Sequence, residues 1–294
     1  MQLDLFDSSS MRVRALQMAL EQIDPEVGQQ RLESVLHPEY LDWEPQALKF
    51  LHQHPIPQDL DAGYRLWEKM QEEPFFSRLP DHSAREIRRN YFSRLLPSNG
   101  AAQEVLRSRQ GLSMGYLMLL SGDAAQAAKL LEKELERFGE TALLRLNLAH
   151  ANWHCGRKQA ARVHFRQALL LGWNRLDDES IPDATLLDAL LDADDRDWAV
   201  IQACVERVLP IARYLSRDEF RASEAFQRRR EVEENPPEDL AGQRLQFHCC
   251  LVISENRRWA EHDLLVKARR RMKDLHSRLH FLYMRSLESK PAAD

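Results

Sequence analysis

Apolar residues recur along this chain at three- and four-residue steps, and prolines interrupt them at short intervals. From Met11 to Ile23, Val13, Leu16, Ala19, Leu20 and Ile23 fall on one stripe, the spacing of an amphipathic helix. Asp24-Pro25 ends that stripe and starts another, because Asp caps a helix and Pro fits its first position. Pro38, Pro45, Pro55, Pro57, Pro74, Pro80 and Pro97 repeat the punctuation, so the first hundred residues read as a string of short helices. Further on, the pattern predicts helices over about 198–215, 217–234, 238–254 and 257–288, with Asn235-Pro236-Pro237 as a break. The whole reads as all-α, in four segments: a tail over 1–10, an N-terminal helical region over 11–98, paired helices over 99–176 and a C-terminal helical region over 177–294.

The middle of the chain answers itself. SGDAAQAAKLLEKELERFG from Ser121 is echoed by CGRKQAARVHFRQALLLGW from Cys155, and the turn glycines Gly122 and Gly156 lie 34 positions apart. Over Ser108 to Arg175 the chain resembles the tetratricopeptide-repeat family. A large apolar residue precedes a small one in each first helix, Met114-Gly115 and Leu148-Ala149. Each second helix pairs an alanine with a bulky residue four later, Ala127 with Leu131 and Ala161 with Phe165. The units depart from the family at Met118 and Asn152, where an aromatic is usual, and at Gly139 and Trp173, which replace the closing proline. A fainter echo runs through Phe247, His248, Asn256, Ala260 and Leu264. The resemblance implies a TPR-like α-α superhelix, a right-handed solenoid with irregular flanking helices. It also implies a partner groove lined by first-helix residues: Arg109, Leu112, Tyr116 and Leu119 from one unit, and Leu143, Leu146, His150, Trp153 and His154 from the next. The other reading of these residues is that flanking helices bury them.

Ten glycines among 294 residues fit helix better than sheet, and a formal charge of -5 gives no global attraction to nucleic acid or anionic lipid. Neither a membrane-spanning run nor a signal-peptide layout is legible, so the chain is expected to be cytoplasmic. Cys155, Cys204, Cys249 and Cys250 form no CxxC pair and read as reduced, mostly buried thiols. No GxxxxGK[ST], GxGxxG or GxSxG occurs, so no enzyme and no cofactor are expected. His150 with His154, and His276 with His280, have the four-residue spacing that can hold a metal, yet no third ligand is placed beside either pair and no metal site is expected.

Two features point to partners. From Arg257 to Lys290 ten basic residues stand against four acidic ones. Arg269, Arg270 and Arg271 could meet nucleic-acid phosphates, or the helix could pair with the chain's own acidic stretch over 177–197. Gln2-Leu3-Asp4-Leu5-Phe6 resembles the bacterial sliding-clamp-binding pentapeptide, in which apolar anchors enter a greasy pocket while the Gln bonds at its rim. The other reading is that Leu3, Leu5 and Phe6 tuck the terminus into a groove of the chain's own core. The leading expectation is a non-enzymatic, bacterial, helical-repeat adaptor for protein partners, docked on the DNA sliding clamp through residues 2–6. The alternative is a nucleic-acid-binding helical protein.

Overall fold

The computed structural model describes residues 16, 18–20, 30, 43–96, 106–176, 180–232 and 236–288. It is all-α: among the described residues there is no strand, only an isolated bridge between Arg107 and Ser113. Among the described residues, no helix is long and apolar enough to cross a membrane. The chain forms two compact units, Met1–Gly139 and Glu140–Asp294, a division that falls inside the segment 99–176.

In the first unit, α1 (Glu44–Gln53), α2 (Leu60–Glu72) and α3 (Asp81–Leu95) follow the proline punctuation, with a 3-10 turn at Phe76–Arg78. Leu16, Ala19 and Leu20 of the expected first stripe are helical and buried in the same core. That core is aromatic: Trp67 lies 5.3 Å from Tyr91, 5.2 Å from Phe92 and 5.4 Å from Phe76. Its helices approach closely because Gly63 has no side chain, and a Cβ there would sit 2.2 Å from Cδ1 of Leu95. The Tyr91 hydroxyl uses that approach to donate to the Gly63 carbonyl at 2.7 Å. Buried acids fasten the rest. Glu44 accepts from Ser83 Oγ at 2.8 Å, and Asp61 accepts from Ser108 Oγ and, at 3.3 Å, from the Gln110 amide. The unit ends in a hairpin of α4 (Met114–Leu120) and α5 (Ala124–Phe138).

The second unit opens on a hairpin of α6 (Ala142–His154) and α7 (Lys158–Leu170), then α8 (Ala184–Leu191), a 3-10 turn at Arg196–Trp198 and α9 (Ala199–Val205). Asp183 joins two of these. It caps α8 through the Leu186 amide at 3.4 Å and takes Arg162 Nε at 2.6 Å and Nη2 at 3.2 Å. The expected helix over 198–215 stops at Val205, because Arg207 turns left-handed at φ 69° and Pro210 lacks the amide a helix needs. The expected helix over 217–234 is cut into α10 (Arg217–Ala222), α11 (Glu224–Gln227) and a 3-10 turn at Arg228–Val232; Ser223 leaves the helical region at ψ 149° and caps the next piece through the Phe226 amide. Then come α12 (Leu240–Glu255), α13 (His262–Leu275) and α14 (Ser277–Glu288).

His276 makes the third correction. The sequence reads as one helix through 257–288, but His276 breaks it, with φ -157° and ψ 94°. Its Nδ1 accepts the Leu279 amide at 3.2 Å, starting α14, and its ring meets Trp198 edge-on at 5.0 Å. His276 and His280 therefore do not share the helix face that metal binding would need. The fainter repeat echo shifts as well. Ala260 lies outside a helix, and the fully buried alanine with a bulky residue four later is Ala268 with Met272.

Candidate partner-binding surfaces

Each central hairpin is closed by a glycine in the left-handed region, where L side chains are strained. At Gly122 (φ 89°) the amide bonds Leu119 O at 3.1 Å and Asp123 N bonds Met118 O at 3.1 Å. At Gly156 (φ 75°) the amide bonds Trp153 O at 2.9 Å and Arg157 N bonds Asn152 O at 2.9 Å. Inside the hairpins the family-like positions are filled alike: Met114 and Leu148, Ala127 and Ala161, and Leu131 and Phe165 are all buried. Gly115 must be small, since a Cβ would stand 2.5 Å from Leu131 Cγ and 3.0 Å from its backbone nitrogen. The buried carboxylate of Glu134 secures the first hairpin, accepting from Ser113 Oγ at 2.6 Å and from Arg107 Nε at 3.4 Å.

The expected groove residues do not form one class. In the first unit Arg109 is exposed, while Leu112, Tyr116 and Leu119 are half-buried. Tyr116 packs 6.5 Å from Tyr64, whose hydroxyl is pushed up to about 12 by burial and then by Tyr116. In the second unit Leu143 is 56% exposed and His154 is exposed, while His150 and Trp153 are half-buried. Lys158 Nζ stands 5.2 Å from the Trp153 ring, a cation over an aromatic face. Leu146, by contrast, is 6% exposed and belongs to the core with Ala149 and Phe165, so it is no open anchor. His150 lies edge-on to Phe165 at 5.7 Å and stacked on His154 at 6.4 Å. Among the described residues, no group of three or more His, Cys, Asp or Glu is placed to hold a metal.

Of the basic trio, Arg270 is exposed and Arg269 half-buried, but Arg271 is structural: its Nε and Nη2 donate to Val232 O at 3.1 and 3.0 Å. Part of the basic surface meets the acidic stretch. Arg278 Nη2 lies 2.5 Å from Asp194 Oδ2 and His276 Nε2 lies 3.7 Å from Asp195 Oδ2, beside a polar cleft of about 400 Å³ that Arg196 and Gln202 also line.

Sequence reasoning missed the segment after α9. Asn256, the last-turn cap of α12, donates Nδ2 to Ala212 O at 2.8 Å and accepts the Tyr214 amide on Oδ1 at 2.8 Å. Trp259 Nε1 donates to Tyr214 O at 2.9 Å, and Arg166 Nη1 donates to Pro210 O. Glu255 binds both Arg207 and Arg213, at 2.5 and 2.8 Å. Burial pushes its carboxyl up, but the two arginines outweigh this and hold it below the usual range. The available signal was Pro210, which lacks the amide that a helix running through 215 would need.

Burial holds two of the interior thiols and one interior histidine in their neutral forms. Burial pushes the thiols of Cys204 and Cys249 up to about 12, so they are not thiolates near neutrality. His248, 9% exposed, is pushed down to about 3 by burial and then by Arg166. The pentapeptide Gln2, Leu3, Asp4, Leu5 and Phe6 lies outside the described residues. No family model, curated protein or solved structure matches the chain.

Proposed function

We propose that this chain is a non-enzymatic adaptor of the bacterial cytoplasm, built on TPR-like helix pairs. Its hairpins take a protein partner, while residues 2–6 dock on the DNA sliding clamp. The observation that carries the reading is the repeat itself: two helix pairs, 34 positions apart, with the same glycine turn and the same alanine-to-bulky packing. Helix pairs of this construction present their first helices to ligands, and Leu143, Trp153 and His154 supply exposed or half-buried anchors there. The pentapeptide gives the second attachment, and joining two weak attachments in one chain raises avidity without any new contact. The test is a titration of the full chain against a purified bacterial sliding clamp. Saturable binding that a free QLDLF peptide competes away supports the reading, and no binding at micromolar clamp removes the tether.

A further inference from the structure

The break between α13 and α14 is held by a cap that depends on a proton. His276 sits between the two helices at φ -157° and ψ 94°, and the Leu279 amide, three residues on, donates to its ring Nδ1 at 3.2 Å. This is the bond pattern of a helix N-cap. An amide only donates, so Nδ1 carries the lone pair and the ring hydrogen is on Nε2. Elsewhere among the described residues, every side-chain helix cap is Asp, Ser or Thr. A carboxyl or hydroxyl group keeps an acceptor lone pair in either protonation state, whereas an imidazolium has two N–H donors and no acceptor. Histidine is also the side chain whose charge ordinarily changes between about pH 5 and 8.

The surroundings offer the charged ring a second partner. His276 Nε2 lies 3.7 Å from Asp195 Oδ2, beyond a hydrogen bond, and both residues line the polar cleft. The charged groups around that cleft are Asp194, Asp195 and Arg196, ahead of α9, and Arg278 on α14; α9 adds the neutral Gln202, and the last turn of α13 carries Lys273 and Asp274. Arg278 is engaged with Asp194, which leaves Asp195 as the carboxylate facing the ring. The other ring of α14, His280, is held below its ordinary value first by burial and then by Lys273 and Arg269, so its charging is set back toward lower pH.

We propose that His276 is a proton-operated switch at the start of α14: the neutral ring caps the helix through Nδ1, and protonation of Nδ1 exchanges that cap for an ion pair with Asp195 and frees the first turn. Nε2 keeps its hydrogen throughout. Leu279 and Tyr283 are buried, and withdrawing both would cost far more than one cap contributes, so α14 stays docked while the ring and the first turn rearrange. Arg278 lies in that turn, so its pair with Asp194, and with it one wall of the cleft, responds to the same proton. The switch is separate from the hairpin helices and from residues 2–6, and it stands whether or not a partner is bound.

A pH titration of the full-length protein from about pH 8 to 5 tests this, read by nitrogen NMR of the His276 ring and by amide-exchange protection corrected for intrinsic rates. At the upper end Nδ1 should be unprotonated. As His276 charges, protection of the Leu279 amide should fall by about fivefold, the worth of one cap, relative to amides of the α6–α7 hairpin, which report the general acid weakening of the second unit. His276→Asn should keep Leu279 protected across the range, because its side-chain oxygen caps without titrating. Asp195→Asn should move the fall to lower pH, because it removes the charge that favours the imidazolium. A hydrogen on Nδ1 at the upper end, Leu279 protection that ignores the His276 titration, the same fall in His276→Asn, or an unmoved midpoint in Asp195→Asn would overturn the proposal. If a variant fails to fold, the titration of the parent chain decides by itself.

Discussion

Gly156 repeats Gly122: each carries a positive φ, 75° and 89°, and each closes a helix with one bond to the third residue back and a second, from the following amide, to the fifth. Gly172, at φ 98°, ends α7 with the same pair of bonds, so this closure marks helix ends, and it is the two hairpin turns at Gly122 and Gly156 that lie 34 positions apart.

Substitutions at the two kinds of hairpin glycine should separate backbone strain from crowding. Gly156→Ala meets no atom within 4 Å, so it should cost only the left-handed penalty, about 1 kcal/mol. Gly115→Ala drives a Cβ toward Leu131 and should cost about 1–3 kcal/mol by overpacking. Leu131→Ala is itself costly, since Leu131 is fully buried, but in a double-mutant cycle the Gly115→Ala loss should shrink on that background while the Gly156→Ala loss adds unchanged. Urea denaturation of the three single variants and the two double variants checks this.

Asn256→Ala should cost about 2–3 kcal/mol, because the Tyr214 amide and the Ala212 carbonyl lose a partner together. Hydrogen exchange localises the effect: the Tyr214 amide should lose its protection while amides in the α6–α7 hairpin keep theirs.

Acid should weaken the second unit in two windows. His248 is pushed down to about 3 and His164 to about 4, in both cases mainly by burial, with Arg166 and Arg145 respectively adding to it. Both sites stay neutral when folded and take a proton when unfolded below the ordinary value of 6.5. Stability should therefore fall as pH drops from 6.5, with His248 alone contributing about 1.4 kcal/mol per pH unit. Glu255 adds a lower window. Its carboxyl is depressed, so its stabilisation is complete above the ordinary 4.5 and is lost as pH falls through the folded value. Chemical denaturation at several pH values should show His248→Gln with the flatter slope between 6.5 and 4.

Arg271→Gln should destabilise the protein by about 1–2 kcal/mol through the bonds to Val232, whereas Arg270→Gln should stay within about 0.5 kcal/mol. If the basic helices hold nucleic acid, binding should fall steeply with salt, and Arg270→Gln should weaken it without lowering the melting temperature.

Local rules carried the sequence a long way. Asp59, Asp123, Thr141, Asp183 and Asp239 each cap a helix as their residue types suggest, and the alternation of small and bulky residues located both central hairpins. What stayed illegible depends on partners distant in sequence. The helix expected through Leu215 gives way after Val205 to a non-helical segment that is bonded by Asn256 and Trp259, more than forty positions away. His276 breaks a helix that its own neighbours would continue, because Trp198 and Asp195 give its ring a place off the helix. The family resemblance makes Leu146 a groove anchor, and only its packing with Phe165 of α7 shows it to be core. The exposed surface was harder to read than the interior, since nothing in hydrophobic period distinguishes a face left for a partner from one that a flanking helix covers.

The adaptor reading is tested most directly by fluorescence anisotropy of the full chain titrated with a purified bacterial sliding clamp, run beside a double variant, Leu5→Ala with Phe6→Ala. The account predicts saturable binding by the parent chain, at least about tenfold weaker binding by the variant, and melting temperatures that agree within about 2 °C, since two truncated docking side chains would remove contacts with the clamp alone. A parent chain that does not bind, with a variant whose melting temperature collapses, would contradict it and assign Leu5 and Phe6 to the protein's own core.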